Sequence, residues 1–274
     1  MTKKTVLITG ASSGMGYAAA KLFAQRGWEV YAGACRIEKI PMVTGIHPIR
    51  LDVTDAESRQ TFVQAARATP TLDVLINNAG YGEYGPLEEV SLANAHRQLE
   101  TNLFGASELT KLVLPRMRAQ HKGRIINISS IGGEMYSPLG GWYHVAKHGL
   151  NVWSDVLDTE IRQFGLRSVV VEPGGTQSSW SAIAMGSIKR NLKVNTPYRP
   201  MVDKTLQLVT RMGNRSQATS ADLAQVFYRA ATVKRPKQRY YYATSDRLLA
   251  WFSRVQPRGF HQAVTRLKTP RATK

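Results

Sequence analysis

The apolar run Thr5-Val6-Leu7-Ile8 breaks directly into Thr9-Gly10-Ala11-Ser12-Ser13-Gly14-Met15-Gly16, and Ala18, Ala19, Leu22 and Phe23 then repeat at helical spacing. A buried strand that turns through glycines into a helix sets the pattern for the rest of the chain. Glu29 to Ala34, Ile49 to Val53, Val74 to Ile76, Ile125 to Ile128 and Ser168 to Val171 read as further short apolar strands. Between them, helical spacing is expected over Gly14 to Gly27, Ala56 to Ala68 with Asp55 as its cap, Leu92 to about Gln120, and Tyr143 to Phe164. Continuous apolar strands alternating with helices argue for an α/β fold with a parallel sheet covered on both faces. Such a sheet binds ligands at the carboxyl ends of its strands.

The chain has 274 residues and no Pro/Gly/Ser linker or repeat, so residues 1–274 are expected to form one domain. Cys35 is the only cysteine, which excludes an internal disulfide and suits a reducing cytoplasm. Thr5 to Ile8 is too short for a secretory h-region, and no apolar run reaches the length of a membrane span. Net charge is +18 and unevenly spread. From Met185 to Lys274 there are 19 Lys and Arg against three acids, Asp203, Asp222 and Asp246. A basic segment of this kind is either a solvated face or a surface for phosphates, an anionic membrane or an acidic ligand.

The turn Thr9-Gly10-x-x-x-Gly14-x-Gly16 lets backbone approach a pyrophosphate, which then lies at a helix N-terminus. Ser12, Ser13 and Met15 fall in the same turn. Asp52 follows the third strand, where it serves either as a partner for an adenine amino group or as a turn residue. Asn77-Asn78-Ala79-Gly80 puts small and amide residues where a ribose would pass, and alone would read as a turn. After the second strand, Arg36 stands with no acid before Glu38. Arginine accommodates a ribose 2′-phosphate, so NADP(H) is favoured over NAD(H).

Lys147 follows Tyr143 by four residues, which puts both side chains on one helix face. Ser130 ends the run Gly123-Arg124-Ile125-Ile126-Asn127-Ile128-Ser129-Ser130. Tyr17 and Lys21 share the spacing by chance, but no serine lies thirteen residues before Tyr17. A tyrosine acting as a base near neutrality needs its pKa lowered by roughly three units, about 4 kcal/mol. An ammonium about 4 Å away at an effective dielectric near 20 supplies an interaction of about that size. Tyr143 would then exchange a proton with an alcohol or carbonyl oxygen that Ser130 orients, while hydride passes to or from a nicotinamide. No metal is called for.

Taken together in order, these motifs resemble the short-chain dehydrogenase/reductase family over about Lys3 to Ser181. Leu51-Asp52-Val53, Asn127-Ile128-Ser129-Ser130 and Pro173-Gly174 carry the resemblance along with the Gly-rich turn, Asn77 to Gly80 and Tyr143-x-x-x-Lys147. The resemblance implies a Rossmann-type, doubly wound, mainly parallel seven-stranded sheet with helices on both faces. It adds Asn102 to the catalytic set, holding a water in a proton relay through Lys147. It puts Pro173, Gly174 and Thr176 at the nicotinamide end and Asp52 and Val53 at the adenine. Members commonly pair as homodimers or homotetramers through the helices that contain Asn102 and Tyr143. Val30 to Arg36, Trp142-Tyr143-His144 and Glu172 to Gly175 are most similar to the branch near retinol and 17-beta-type hydroxysteroid dehydrogenases. Cys35, Met15 and Ser178 depart from that branch's usual residues.

Tyr81, Tyr84, Met135, Tyr136, Trp142, Trp180 and Met185 follow strand ends and are candidates to wall a site for a lipophilic alcohol or ketone, steroid- or retinoid-like. Residues 178–212 would form a lid, and residues 245–274 a basic C-terminal extension. In that extension Leu248, Leu249, Trp251, Phe252 and Val255 make an apolar stripe flanked by Arg247, Arg254 and Arg258. Packing against the domain is the first expectation for it, and peripheral contact with an anionic membrane the second. Nucleic acid is not expected, because no reading motif accompanies the charge. A non-catalytic cofactor-sensing protein on the same fold is the alternative to an oxidoreductase.

Overall fold

The computed structural model describes residues 3–177, 180–213 and 218–268, except for the side chains of residues 177, 180, 181, 208–213, 267 and 268. Its main strands are β1 (Thr5–Thr9), β2 (Glu29–Ala34), β3 (Ile46–Arg50), β4 (Val74–Asn77), β5 (Gly123–Ile128), β6 (Leu166–Val171) and β9 (Arg239–Tyr240). These seven form one sheet in the order β3-β2-β1-β4-β5-β6-β9, and every pairing is parallel. A second ribbon pairs β7 (Thr176–Gln177) with β8 (Ala218–Thr219). Side chains alternate across the sheet as strand geometry demands. Val6, Ile8, Val74, Ile76, Ile126, Ile128, Val169 and Val171 face one core with α1 (Gly14–Gln25) and α8 (Ser220–Thr232). Leu7, Leu75, Ile125 and Leu166 face the other, under α2 (Ala56–Ala65), α4 (Gly105–Ala119) and α5 (Gly141–Ile161).

The remaining helices are α3 (Leu92–Leu99), α6 (Trp180–Asn191), α7 (Arg199–Gly213), α9 (Thr244–Val255) and α10 (Pro257–Lys268). None of the described helices is long and apolar enough to cross a membrane.

Two expectations need correction. The third strand runs over Ile46–Arg50, not Ile49 to Val53, with Val30 opposite Ile46 and Ala34 opposite Arg50. Pro48 interrupts the apolar run in sequence, but β3 is the edge of the sheet, where a missing N–H is tolerated. The single helix expected over Leu92 to Gln120 is instead split by a π-helical turn, Glu100–Phe104, which carries Asn102. Asp55 caps α2 as expected, its carboxylate accepting from the Ser58 amide at 2.7 Å.

Candidate active site

The strand order reverses between β1 and β4, and there the carboxyl ends of the strands open into a cleft of about 690 Å³. Gly10, Ser12, Ser13, Gly14 and Met15 line it from the first turn. Cys35 and Arg36 follow β2, Asp52 and Val53 follow β3, and Asn78, Ala79, Gly80 and Tyr81 follow β4. Two glycines in the turn are sterically required. Gly10 has φ +70 and lies on Ala79, while a Cβ on Gly16 would stand 2.5 Å from the Gly10 carbonyl oxygen. Ser13 precedes α1 without a side-chain cap, and no acid occupies the first turn, so the helix leaves its N–H groups to an anionic guest. A dinucleotide fits this donor set: the turn's N–H groups would hold its pyrophosphate, and Val53, Asn78, Ala79 and Gly80 line the same cleft, while Asp52 Oδ1 already accepts from the Thr54 amide and hydroxyl at 2.9 and 2.7 Å.

Thr9 holds the cleft together, a role the sequence did not signal. Its hydroxyl accepts from the amides of Asn78 and Ala79, both at 2.9 Å, and so pins the β4 turn to β1. Arg97, Thr101 and Ile183 also line the cleft unanticipated, the last from α6 in the expected lid.

Ser130, Tyr143 and Lys147 come together. Ser130 caps a short turn after β5, its Oγ accepting from the Gly132 amide at 3.0 Å and lying 3.3 Å from the Pro173 carbonyl. That contact links it to the loop after β6 that carries Gly174. Tyr143, nearly fully buried, shares a hydrogen bond with Ser130. Lys147 is buried one turn on, with Nζ donating to the Ile128 carbonyl at 2.8 Å. Here one expectation fails. Burial pushes Tyr143 up to about 12 and Lys147 down to about 8, and the ammonium does not figure among the causes acting on the phenol. Desolvation dominates both groups in the free protein, and the Ser130 hydrogen bond lowers the phenol only in part. The decoy pair stays on the surface, with Tyr17 36% exposed and Lys21 over its ring.

Asn102 is buried, and its side chain is hydrogen-bonded to the backbone of Tyr81. Its Oδ1 accepts from the Tyr81 amide at 3.1 Å and its Nδ2 donates to the Tyr81 carbonyl at 2.8 Å. The π turn thus aims an amide at the loop that borders the cleft. Fully buried Gln98 reinforces it, donating to the Tyr81 carbonyl and accepting from the Glu83 amide.

Of the expected wall residues, Tyr84 stands nearest the chemistry, its ring centroid 5.5 Å from that of Tyr143. Met185 packs with Tyr84, Leu139, Ile188 and Val202, so α6 and α7 do cover this side. Tyr81 lies in the cleft, and its buried hydroxyl has no hydrogen-bond partner among the described residues. Met135 and Trp142 are half-buried. Tyr136 is drawn away from the cleft: it is 40% exposed, packs on Phe260 and bonds His261 Nδ1 at 2.9 Å. Thr176 donates to the Gly174 carbonyl at 3.2 Å. Ser178 and the Trp180 side chain lie outside the described residues.

Two further groups support the centre. His144 is neutral: its Nε2 accepts from the Ser137 amide at 3.0 Å, so Nδ1 is the donor to the Gly132 carbonyl at 2.8 Å. Beneath the site, Asn151 donates to the Gly133 carbonyl and to Glu172 at 2.8 Å, and Arg239 bridges Glu134, Glu172 and Asp155.

A glycine-lined cleft at the switch point, and a serine, tyrosine and lysine gathered on the same carboxyl edge of the parallel sheet, define the class of α/β protein to which the chain is compared. Residues 4–186 match the short chain dehydrogenase family, and the chain belongs to that family of oxidoreductases. It is 32% identical to the uncharacterized oxidoreductase YusZ of Bacillus subtilis, covering 98% of this chain and 99% of that one. Similarity also extends to the 3-ketodihydrosphingosine reductase of Bacteroides thetaiotaomicron, 38% identical over 179 residues, 64% of each chain. Among solved structures, a short-chain dehydrogenase from Streptomyces avermitilis superposes with a TM-score of 0.82 at 27% identity, covering 97% of both chains.

Proposed function

We propose that this protein is an NADP(H)-dependent oxidoreductase that interconverts a lipophilic secondary alcohol and its ketone, or an alcohol and its aldehyde. The observation that carries the reading is the buried Ser130–Tyr143–Lys147 set gathered after β5 and on α5, on the same carboxyl edge of the sheet that opens into the cleft. The bound nicotinamide supplies or accepts the hydride. Tyr143, a phenol in the free protein, gives its proton to the carbonyl oxygen in the reductive direction. Ser130 holds that oxygen by hydrogen bonding, and Lys147 anchors the helix face on which Tyr143 stands. For oxidation Tyr143 must first give up its proton, and a positive charge held near it, as an oxidised nicotinamide would supply, favours that state.

Arg36 lines the cleft rim while Glu38, the first acid on the same loop, is not part of the lining, which supports NADP(H). The apolar cluster of Leu139, Ile188 and Met185, which reaches Tyr143 through Tyr84, supports a lipophilic substrate, and one similar protein is named a 3-ketodihydrosphingosine reductase. Steroid-like and retinoid-like compounds share that chemistry. Two copies pair through α4 and α5, whose outer faces carry exposed apolar side chains.

Single-turnover absorbance at the nicotinamide band, with a panel of hydroxysteroids, retinoids and long-chain ketones, tests the reading. Tyr143→Phe should cut turnover by at least about a hundredfold and leave cofactor affinity nearly intact. A chain that binds NADP(H) tightly yet turns over nothing in either direction would belong to the cofactor-sensing alternative.

A further inference from the structure

α9 touches the domain along a narrow edge. Ala250 is buried, Ser253 donates to the Glu134 carbonyl, Arg254 pairs with Glu134, and the Asp246 carboxylate packs on Gly174. The opposite side is open. Leu248 and Trp251 are each 60% exposed and Val255 46%, Leu249 extends the same arc, and Phe252 sits within it with one edge packed on Phe260 of α10. At helical spacing these five cover about 160° of the circumference. The sequence led us to expect this stripe to pack on the domain. The structure turns it outward, the reverse of an ordinary surface helix. A contiguous exposed apolar face marks an interaction surface.

Charge says what the surface meets. From Arg247 to Lys268 there are five Lys and Arg and no acid. At the start of α9 a cavity of about 430 Å³ is lined by Arg229, Lys237 and Arg247, with Tyr242 and Thr244 beside them. These three cations have no carboxylate partner among the described residues. Arg247 stands next to Trp251 around the helix, so the cationic cavity and the apolar arc adjoin. A second copy of the chain would bring the same cations to a self-complementary contact and be repelled. An anionic bilayer offers both things the surface lacks, acyl chains and phosphates.

We propose that α9 and the adjoining cavity dock this enzyme on an anionic phospholipid surface, with Leu248, Trp251 and Val255 entering the acyl boundary and Arg229, Lys237 and Arg247 facing lipid phosphates. The surface lies beside the site, because the same helix packs on Gly174. The docking does not depend on the catalytic reading, since it is measured without turnover.

Co-sedimentation of the full chain with vesicles tests it, using phosphatidylcholine alone and an equimolar mixture with phosphatidylglycerol. Anionic vesicles should bind at least about tenfold more tightly than neutral ones, and raised salt should weaken the binding. Trp251 emission should shift to the blue on binding, and Trp251→Phe should remove that shift while keeping sedimentation. Leu248→Glu/Trp251→Glu and Arg229→Gln/Arg247→Gln should each reduce binding about tenfold or more, with thermal melts and NADP(H) titrations showing the fold unchanged. Failure to sediment with anionic vesicles, or equal sedimentation of the first double variant and the parent, overturns the proposal. So does concentration-dependent self-association that this variant abolishes without any vesicle binding, which would assign the face to a second copy.

Discussion

Tyr143 shows how little a side chain's spacing says about its electrostatics. The four-residue interval to Lys147 and the serine at a strand end were visible in sequence, and all three groups converge in the fold. The state of the phenol was not there to be read, because burial, which pushes it up to about 12, is set by the packing around α5 rather than by the spacing to Lys147. Residues acting through side chain–backbone contacts were also hidden. Thr9 and Asn102 each fasten a loop some twenty or more residues away, which no local pattern reports. Arg36 is the reverse case, a single residue whose place after β2 fixes a testable choice. A charge-assisted bond to the 2′-phosphate is worth about 1.5–3 kcal/mol. Arg36→Glu should therefore weaken NADP(H) by about tenfold or more while leaving NAD(H) equal or tighter. Fluorescence titration with both cofactors decides it, and an unchanged ratio would remove Arg36 from the site.

Whole strands and helices were legible where burial on both faces made the apolar run continuous, as in β1, β2 and β5. Legibility failed where an element is held by partners distant in sequence. β3 is displaced because Pro48 sits on an edge, and β9 has only two residues, Arg239 and Tyr240, placed by pairing with Val170 and Val171. The network joining the turn after β5 to α5, β6 and β9 belongs to this scale too. Glu172 is fully buried between Asn151, Arg239, Tyr241 and Glu134, and desolvation first, then the neighbouring Glu134, pushes it up to about 8. The folded protein then keeps a proton that the unfolded chain has already released. Stability from this group is complete below about 4.5 and is lost as pH rises through about 8. The parent should melt at progressively lower temperature across that window, by at most about 1.4 kcal/mol per pH unit. Glu172→Gln, which keeps a neutral side chain, should flatten the slope. Parallel pH series by calorimetry would show equal slopes if the carboxyl is ionised throughout.

For the molecule as a whole, the alternation of strands and helices gave the layers, the sheet's polarity and the edge where ligands bind. It could not give which outer faces stay bare, because an apolar helical stripe reads alike whether it meets the core or a partner. α5 illustrates this. Ala146, Leu150, Leu157 and Ile161 are buried, while Val145, Val152 and Val156 are 52%, 63% and 50% exposed. Intervals of seven and four residues stack these valines on one stripe. Phe104 and Leu112, on the neighbouring π turn and α4, are exposed as well, at 46% and 38%. Leu103 packs on Gly149 between the two elements, so the patch is continuous rather than scattered. This stripe lies along the middle of two long helices, where a second copy can cover it by two-fold symmetry. Val152→Glu/Val156→Glu places two carboxylates at the centre of such an interface while touching no buried group. Light scattering after size exclusion should find the parent as a dimer or tetramer and the variant with its mass halved, each with an unchanged melt in dilute solution. A monomeric parent, or a variant of unaltered mass, would show that α4 and α5 face solvent and that the pairing surface lies elsewhere.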